Sequence, residues 1–265
     1  GAGSAANGLG PDMKILILGG TTEARQLSGA LDARGDAIVT LSLAGRTASP
    51  RAQGVPTRIG GFGGADGLAR FIDVEKIGIL IDATHPYADR ISANADRAAR
   101  ETGVSFLALR RAPWHQVAGD RWIDVATVAE AVSALGPDPV RAFLALGRKD
   151  ITPFESAPQH TYLVRSVDPI EPPLAVPNAQ YLTARGPFSE ADDRLLLEQH
   201  GTEVVVSKNS GGEASYGKIA AARALHIPVV MIQRPALPEV PSVATVNEAL
   251  AWCDHALTVA AMRGV

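Results

Sequence analysis

The stretch that most constrains this chain is Met13-Lys14-Ile15-Leu16-Ile17-Leu18-Gly19-Gly20-Thr21-Thr22-Glu23-Ala24-Arg25. Ile15 to Leu18 are consecutive apolar residues, as in a strand buried on both faces. Two glycines follow at once, and then Ala24, Leu27 and Leu31 recur at helical spacing as far as Gly35, a helix stop. A buried strand, a glycine turn and an amphipathic helix open a βαβ unit. The start of such a helix offers backbone N–H groups without helical partners and a positive dipole end, which suits a phosphate. The dinucleotide fingerprint is incomplete: Gly19 serves the tight turn, Thr21 stands at the second glycine position and Ala24 at the third. A threonine there can donate its hydroxyl to a phosphate. An α/β protein that binds nothing at this turn would carry the same pattern.

Several function classes are excluded early. A net charge of −3 gives no electrostatic case for nucleic acid. No apolar run approaches the roughly 20 residues of a membrane span. The single cysteine, Cys253, excludes an internal disulfide, fits a reducing compartment and reads as a packed thiol. Gly1 to Asp12 are small, polar and patternless, and read as a leader without a fold of its own ahead of a native start at Met13. Lacking a secretory segment, the chain reads as cytoplasmic.

A second strand is expected over Ile38–Leu43. An NAD-binding unit places a carboxylate near the end of this strand for the ribose 2′-hydroxyl. Here the strand ends in Ser42 and Leu43, and the next charge is Arg46. A hydroxyl and a guanidinium suit a 2′-phosphate, which favours NADPH over NADH; an ordinary surface turn is the plainer reading. Thr57–Ile59 is a short strand candidate running into Gly60-Gly61-Phe62-Gly63-Gly64, where glycines allow either close ligand approach or positive-φ turns. Strand Ile77–Ile81 ends in Asp82-Ala83-Thr84-His85-Pro86-Tyr87, at the sheet edge where α/β proteins bind ligands. Pro86 suits a first helical turn, with Thr84 or His85 as cap; Asp82 fits buried structure at a strand end.

Val125-Ala126-Thr127-Val128-Ala129-Glu130-Ala131-Val132 nearly recurs as Val243-Ala244-Thr245-Val246-Asn247-Glu248-Ala249-Leu250. Both carry capping-box spacing and both follow an Arg- and Pro-containing segment, which indicates duplication at domain scale. The breakers Gly136-Pro137-Asp138-Pro139 then place a boundary, giving domains 13–137 and 138–265. Strands and helices alternate in both halves, as in a parallel sheet covered on both faces. Three loops after strands in the second half carry cations: Arg148 with Lys149, Arg185, and Lys208. On one sheet edge they would form a basic rim for an anionic small molecule.

The six histidines are dispersed, no Gly-x-Ser-x-Gly occurs, and no lysine follows the glycines as in a P-loop. Hydrolase, metalloenzyme and NTPase readings are therefore weak, and no metal is expected. A reductase needs no such constellation, because the cofactor carries the hydride.

The motifs Ile15–Ala24, Ile81–Tyr87 and Ser207-Lys208-Asn209-Ser210-Gly211-Gly212, in this order, resemble the precorrin-6A reductase family of cobalamin biosynthesis, over Met13 to about Leu257. The resemblance implies two Rossmann-like domains with a cleft between them. It implies NADPH-dependent reduction of one macrocycle double bond of precorrin-6A, or of its cobalt analogue, with a hydride added to one ring carbon and a proton to its neighbour. It further implies that Gly19, Gly20, Thr21 and Thr22 hold the pyrophosphate, that Ser42 and Arg46 hold the 2′-phosphate, and that Glu23 and Gly45 also contact the cofactor. Gly61, Thr84, His85 and Pro86 would complete the cofactor site, with His85 as candidate proton donor. Tyr87, Arg148, Lys149, Arg185, Ser207, Lys208, Asn209, Ser210 and Gly211 would face the substrate, Lys208 and Asn209 facing cofactor or substrate. The partner is then an anionic tetrapyrrole, with hand-over to neighbouring pathway enzymes. Two readings compete: a non-catalytic NADPH sensor, and a different NADPH-dependent reductase. A short-chain reductase is disfavoured, since no Tyr-x-x-x-Lys occurs: Tyr87 precedes Ile91, and Tyr216 precedes Ala220.

Overall fold

The computed structural model describes residues 13–45 and 54–263. The chain runs β1 (Lys14–Leu18), α1 (Thr22–Arg34), β2 (Ile38–Leu43), β3 (Thr57–Ile59), α2 (Gly64–Glu75), β4 (Ile77–Asp82), α3 (Asp89–Thr102) and β5 (Ser105–Leu109). It continues with β6 (Trp122–Val125), α4 (Val128–Ala134), β7 (Arg141–Ala145), α5 (Arg148–Ile151), a 3-10 turn (Thr152–Ser156), β8 (Thr161–Ser166) and β9 (Ala179–Thr183). Then come α6 (Glu190–His200), β10 (Val204–Lys208), α7 (Gly217–Ala224), β11 (Val229–Ile232), β12 (Ser242–Val243) and α8 (Val246–Arg263). Among the described residues no helix is long and apolar enough to cross a membrane.

The strands form two six-stranded parallel sheets, in the orders β12-β5-β4-β1-β2-β3 and β6-β11-β10-β7-β8-β9. The α/β class with two Rossmann-like sheets is thus as the sequence pattern predicts. The two orders match position for position. The partition differs from the expected one. One compact unit takes the chain up to Arg111 and again from Ala236, and the other is Ala112–Pro235. The chain crosses between units twice because β6 pairs with β11 while β12 pairs with β5. The expected boundary at 136–139 lies inside the second unit: Gly136, at φ +80°, turns the chain after α4 and donates its N–H to the Ser133 carbonyl at 3.1 Å.

In the first unit the β1 side chains alternate between two buried faces. Ile15 and Ile17 pack with Leu27 and Leu31 of α1 and Ala249 and Cys253 of α8. Leu16 and Leu18 pack with Leu68 and Ile72 of α2 and Ala95 of α3. Burial on both faces explains why β1 reads as an unbroken apolar run. In the second unit Phe143, Leu163, Val205 and Met231 pack against Leu197 of α6 and Ile219 of α7. At both expected capping boxes the threonine half forms, with Thr127 Oγ accepting from Glu130 N at 3.1 Å and Thr245 Oγ from Glu248 N at 3.2 Å, while the Glu130 carboxylate accepts from Ala126 N and that of Glu248 from Thr245 Oγ.

Candidate functional site

The first site lies at the carboxyl ends of β1, β2 and β4. Gly19 N donates to the Ser42 carbonyl at 2.8 Å. A Cβ on Gly19 would stand 2.5 Å from Leu41 Cδ1, so the turn demands glycine here. Gly20 sits at φ +113°, a conformation L side chains rarely adopt. Thr21 is the N-cap of α1. Its Oγ accepts from Ala24 N at 3.1 Å and donates to the Ala83 carbonyl at 2.7 Å. The hydroxyl thus ties the glycine turn to the residue just past β4. The first-turn N–H groups of Thr22 and Glu23 remain outside the helical ladder and can hold an anion. The Glu23 carboxylate, which would oppose one, is paired with Arg111 at 3.3 Å.

A cavity of about 290 Å³ opens beside this turn. Its wall brings together Gly19, Ser42, Gly61 and Thr84 from the expected set, and adds Phe62 and Arg90. Asp82 shapes this edge from below: its carboxylate accepts from Thr84 N at 3.1 Å, Thr84 Oγ at 2.6 Å and Ser92 Oγ at 2.6 Å, all buried. It is structural, as its strand-end position indicated. Thr84 and His85 do not cap the following helix, and Pro86 is not in its first turn. Residues 85–88 form a turn closed by Ala88 N on the His85 carbonyl at 2.8 Å, with Pro86 at its second position, and α3 starts only at Asp89. His85 Nδ1 accepts from Tyr87 N at 3.3 Å, which leaves the ring proton of the neutral form on Nε2. The two rings lie 5.6 Å apart.

Of the residues expected at a 2′-phosphate, Arg46 lies outside the described residues. Gly45 holds φ +75° at the end of β2, and Ser42 is buried. The cation beside Ser42 is one the sequence reading passed over, Arg58 of β3. Its Nη1 donates to the Gly60 carbonyl at 2.9 Å and reaches Ser42 Oγ at 3.4 Å; Nη2 donates to the Gly61 carbonyl at 3.3 Å. The guanidinium lies 3.8 Å above the centre of the Phe62 ring. The signal was a lone arginine on a short strand two residues before paired glycines.

In the second unit β7, β9 and β10 run parallel, so the loops carrying Arg148 and Lys149, Arg185, and Lys208 leave one edge of the sheet. Arg148, Lys149 and Arg185 are exposed. The segment expected as a loop at Gly147–Asp150 is one helical turn, α5, and it carries Asp150 to within 2.5 Å of Lys208 Nζ. Ser207 is buried and donates to the carbonyl of Lys208 at 2.9 Å.

Asn209 is also buried, and its side-chain amide clasps the Trp114 backbone: Oδ1 accepts from N at 2.7 Å and Nδ2 donates to O at 2.9 Å. Ser210 and Asn209 offer carbonyls to Arg234 at 3.1 and 2.9 Å. Only glycine fits at position 211, because a Cβ there would meet Ala112 O at 2.2 Å. The Asn209 and Gly211 contacts described here are thus architectural. Sequence reading also missed a buried bidentate pair, Arg165 with Asp193 at 2.5 and 3.2 Å. Arg165 is held against Phe188, its guanidinium 3.7 Å from the ring centre. Lys218 lies close by and is buried as well.

Residues 14–254 match the precorrin-6x reductase CbiJ/CobK family. The chain is 56% identical over 249 residues to a precorrin-6A reductase of Sinorhizobium sp, covering 93% of this chain and 95% of that one. It is 48% identical to the precorrin-6A reductase of Rhodobacter capsulatus, covering 92% and 98%, and 29% identical to a cobalt-precorrin-6A reductase of Priestia megaterium, covering 83% and 90%. A solved CobK precorrin-6A reductase superposes with a TM-score of 0.88 at 46% identity, covering 92% of this chain and 97% of that one. With family match, relatives and fold in agreement over nearly its whole length, the chain belongs to the precorrin-6x reductase CbiJ/CobK family.

Proposed function

We propose that this protein reduces one double bond of precorrin-6A to give precorrin-6B in cobalamin biosynthesis, using NADPH, in the cytoplasm. The observation that carries the cofactor assignment is the cavity that gathers Gly19, Ser42, Gly61 and Thr84 at the carboxyl ends of neighbouring parallel strands. The residues fit a dinucleotide: a turn that only glycine can make, first-turn N–H groups for the pyrophosphate, and a hydroxyl with a guanidinium at the end of β2. When bound, NADPH supplies the hydride. The chain binds and orients. Backbone N–H groups of Thr22 and Glu23 hold the pyrophosphate, with Arg111 neutralising the Glu23 carboxylate. His85 carries the proton on Nε2 that a neighbouring ring carbon would receive. Arg148, Lys149, Arg185 and Lys208 bind acetate and propionate carboxylates of the macrocycle.

The metal-free substrate is favoured over the cobalt form, because the relatives at 56% and 48% identity are named for precorrin-6A and one at 29% for cobalt-precorrin-6A. The test is NADPH oxidation followed at 340 nm with precorrin-6A, beside its cobalt analogue and with NADH in place of NADPH. Turnover with NADPH and precorrin-6A is expected. Binding of NADPH with reduction of neither macrocycle would overturn the assignment in favour of a sensor.

A further inference from the structure

Among the described residues Arg58 has no carboxylate partner, as Arg110, Arg121 and Arg141 also have none, whereas Arg34, Arg97, Arg111, Arg165, Arg223 and Lys208 are each ion-paired. It is nonetheless fixed in place. Two carbonyls, Gly60 and Gly61, and a hydroxyl, Ser42, receive its N–H groups, and the Phe62 ring supports its flat face at 3.8 Å. Phe71 stands edge-on to Phe62 at 5.1 Å and buttresses the stack. The four groups that hold the guanidinium, Ser42, Gly60, Gly61 and Phe62, all line the cavity beside the Gly19 turn.

A positive charge held only by neutral acceptors keeps its attraction for an anion, and holding it in advance removes the cost of ordering a long side chain when the anion arrives. Its position follows from the strand order. β3 pairs with β2 so that Ser42 lies opposite Arg58 in register. β2 is the strand whose end selects between a ribose hydroxyl and a ribose phosphate in nucleotide-binding sheets.

We infer that Arg58, with Ser42, is the residue that selects the 2′-phosphate of the cofactor, the role the sequence pattern assigns to Arg46. This rests on the NADPH reading above and names the group within it that sets cofactor choice. A guanidinium on an aromatic face, with N–H groups turned toward a hydroxyl, matches a phosphate monoester on a ribose better than it matches an uncharged ribose.

The experiment is calorimetric titration of the purified protein with 2′,5′-ADP and with 5′-ADP, which reads the phosphate contact without turnover. Wild type is expected to bind 2′,5′-ADP more tightly. Arg58→Gln, which keeps N–H donors for the carbonyls and loses the charge, should weaken 2′,5′-ADP roughly 10- to 100-fold and 5′-ADP by less than about 3-fold. Arg58→Lys should fall between, since it keeps the charge without the planar fork. A thermal melt of each variant shows whether the loop still folds, and NADPH and NADH titrations should reproduce the same ratio. If Arg58→Gln and Arg58→Lys keep the wild-type preference while Arg46→Ala loses it, the inference is overturned and Arg46 is the selector. If wild type prefers neither nucleotide and binds neither NADPH nor NADH, the NADPH reading itself fails, and this inference with it.

Discussion

Replacing Lys218 by methionine should stabilise the protein near neutral pH, and the gain should vanish as the pH rises. Lys218 sits in the first turn of α7, only 4% exposed, with Nζ donating to the Ser215 carbonyl at 2.7 Å and lying 5.0 Å from the Trp114 ring centre. Burial first, and the Arg165 charge second, push its pKa down to about 7, while Asp193 pulls the other way. Between pH 7 and the unfolded value near 10.5 the unfolded chain holds a proton that the folded chain has released. Stability therefore rises with pH across that window, is flat below it where both states are protonated, and is flat above it where neither is. At about 1.36 kcal/mol per pH unit, the charged form burdens the folded state by on the order of 5 kcal/mol, of which about 3 is relieved between pH 7 and 9.5. Lys218→Met also removes the hydrogen bond to Ser215 and the ammonium from the Trp114 ring. That shifts stability by a similar amount at both pH values, so the pH-dependent difference isolates the lysine charge. Urea unfolding of Lys218→Met against Lys218, both in a Trp252→Phe background, reads the second unit through Trp114 and Trp122. The lysine protein should gain about 3 kcal/mol on Lys218→Met from pH 7 to pH 9.5. A difference that stays flat, or falls with pH, refutes the burial argument.

Asp193→Ala leaves Arg165 buried without its counter-charge and should cost about 3–5 kcal/mol, seen as a lower urea midpoint for the second unit. Thr21→Val removes the acceptor for Ala24 N and the bond to Ala83 O. It should cost about 1–2 kcal/mol by thermal melt, yet change NADPH affinity less than about 3-fold if, as proposed above, backbone N–H groups rather than the hydroxyl hold the phosphate. Gly211→Ala forces a Cβ against Ala112 O at φ +70° and should cost more than about 1 kcal/mol in the same assay.

The elements were legible where a local pattern alone decides them. The apolar run of β1, the Gly35 stop and the Thr127 and Thr245 caps all stand where the pattern puts them. Sheet partnership was not legible, because β6 and β12 are short. Their allegiance rests on which apolar face they cover: α8 buries Ala249 and Cys253 in the core of the first unit. Thr84-His85-Pro86 misled for a related reason. A proline fits the second position of a turn as well as the start of a helix, and only the Ala88 N to His85 O bond decides between them. Arg58 escaped notice because a three-residue strand carries too little periodicity to show which face its middle residue takes.

The exchanged edges give the Ser207–Gly212 motif a meaning that ligand chemistry alone does not. In each sheet the strand next to the edge, β5 or β11, is followed in the chain not by its edge neighbour but by a crossing into the other unit. The chain leaves for the second unit at Ala112 and returns after Pro235. The Ser207–Gly212 loop touches both ends of that excursion: Asn209 holds Trp114, Gly211 abuts Ala112, and Arg234 donates to the carbonyls of Asn209 and Ser210. A buried amide and an obligatory glycine are what such a tie requires, since both backbones must come within hydrogen-bonding reach of one loop. Lys208, at the end of β10 where the same loop begins, is paired instead with Asp150 of α5. The motif thus joins a structural clasp to a charged edge residue, so substitutions at Asn209 and at Lys208 belong to different kinds of failure.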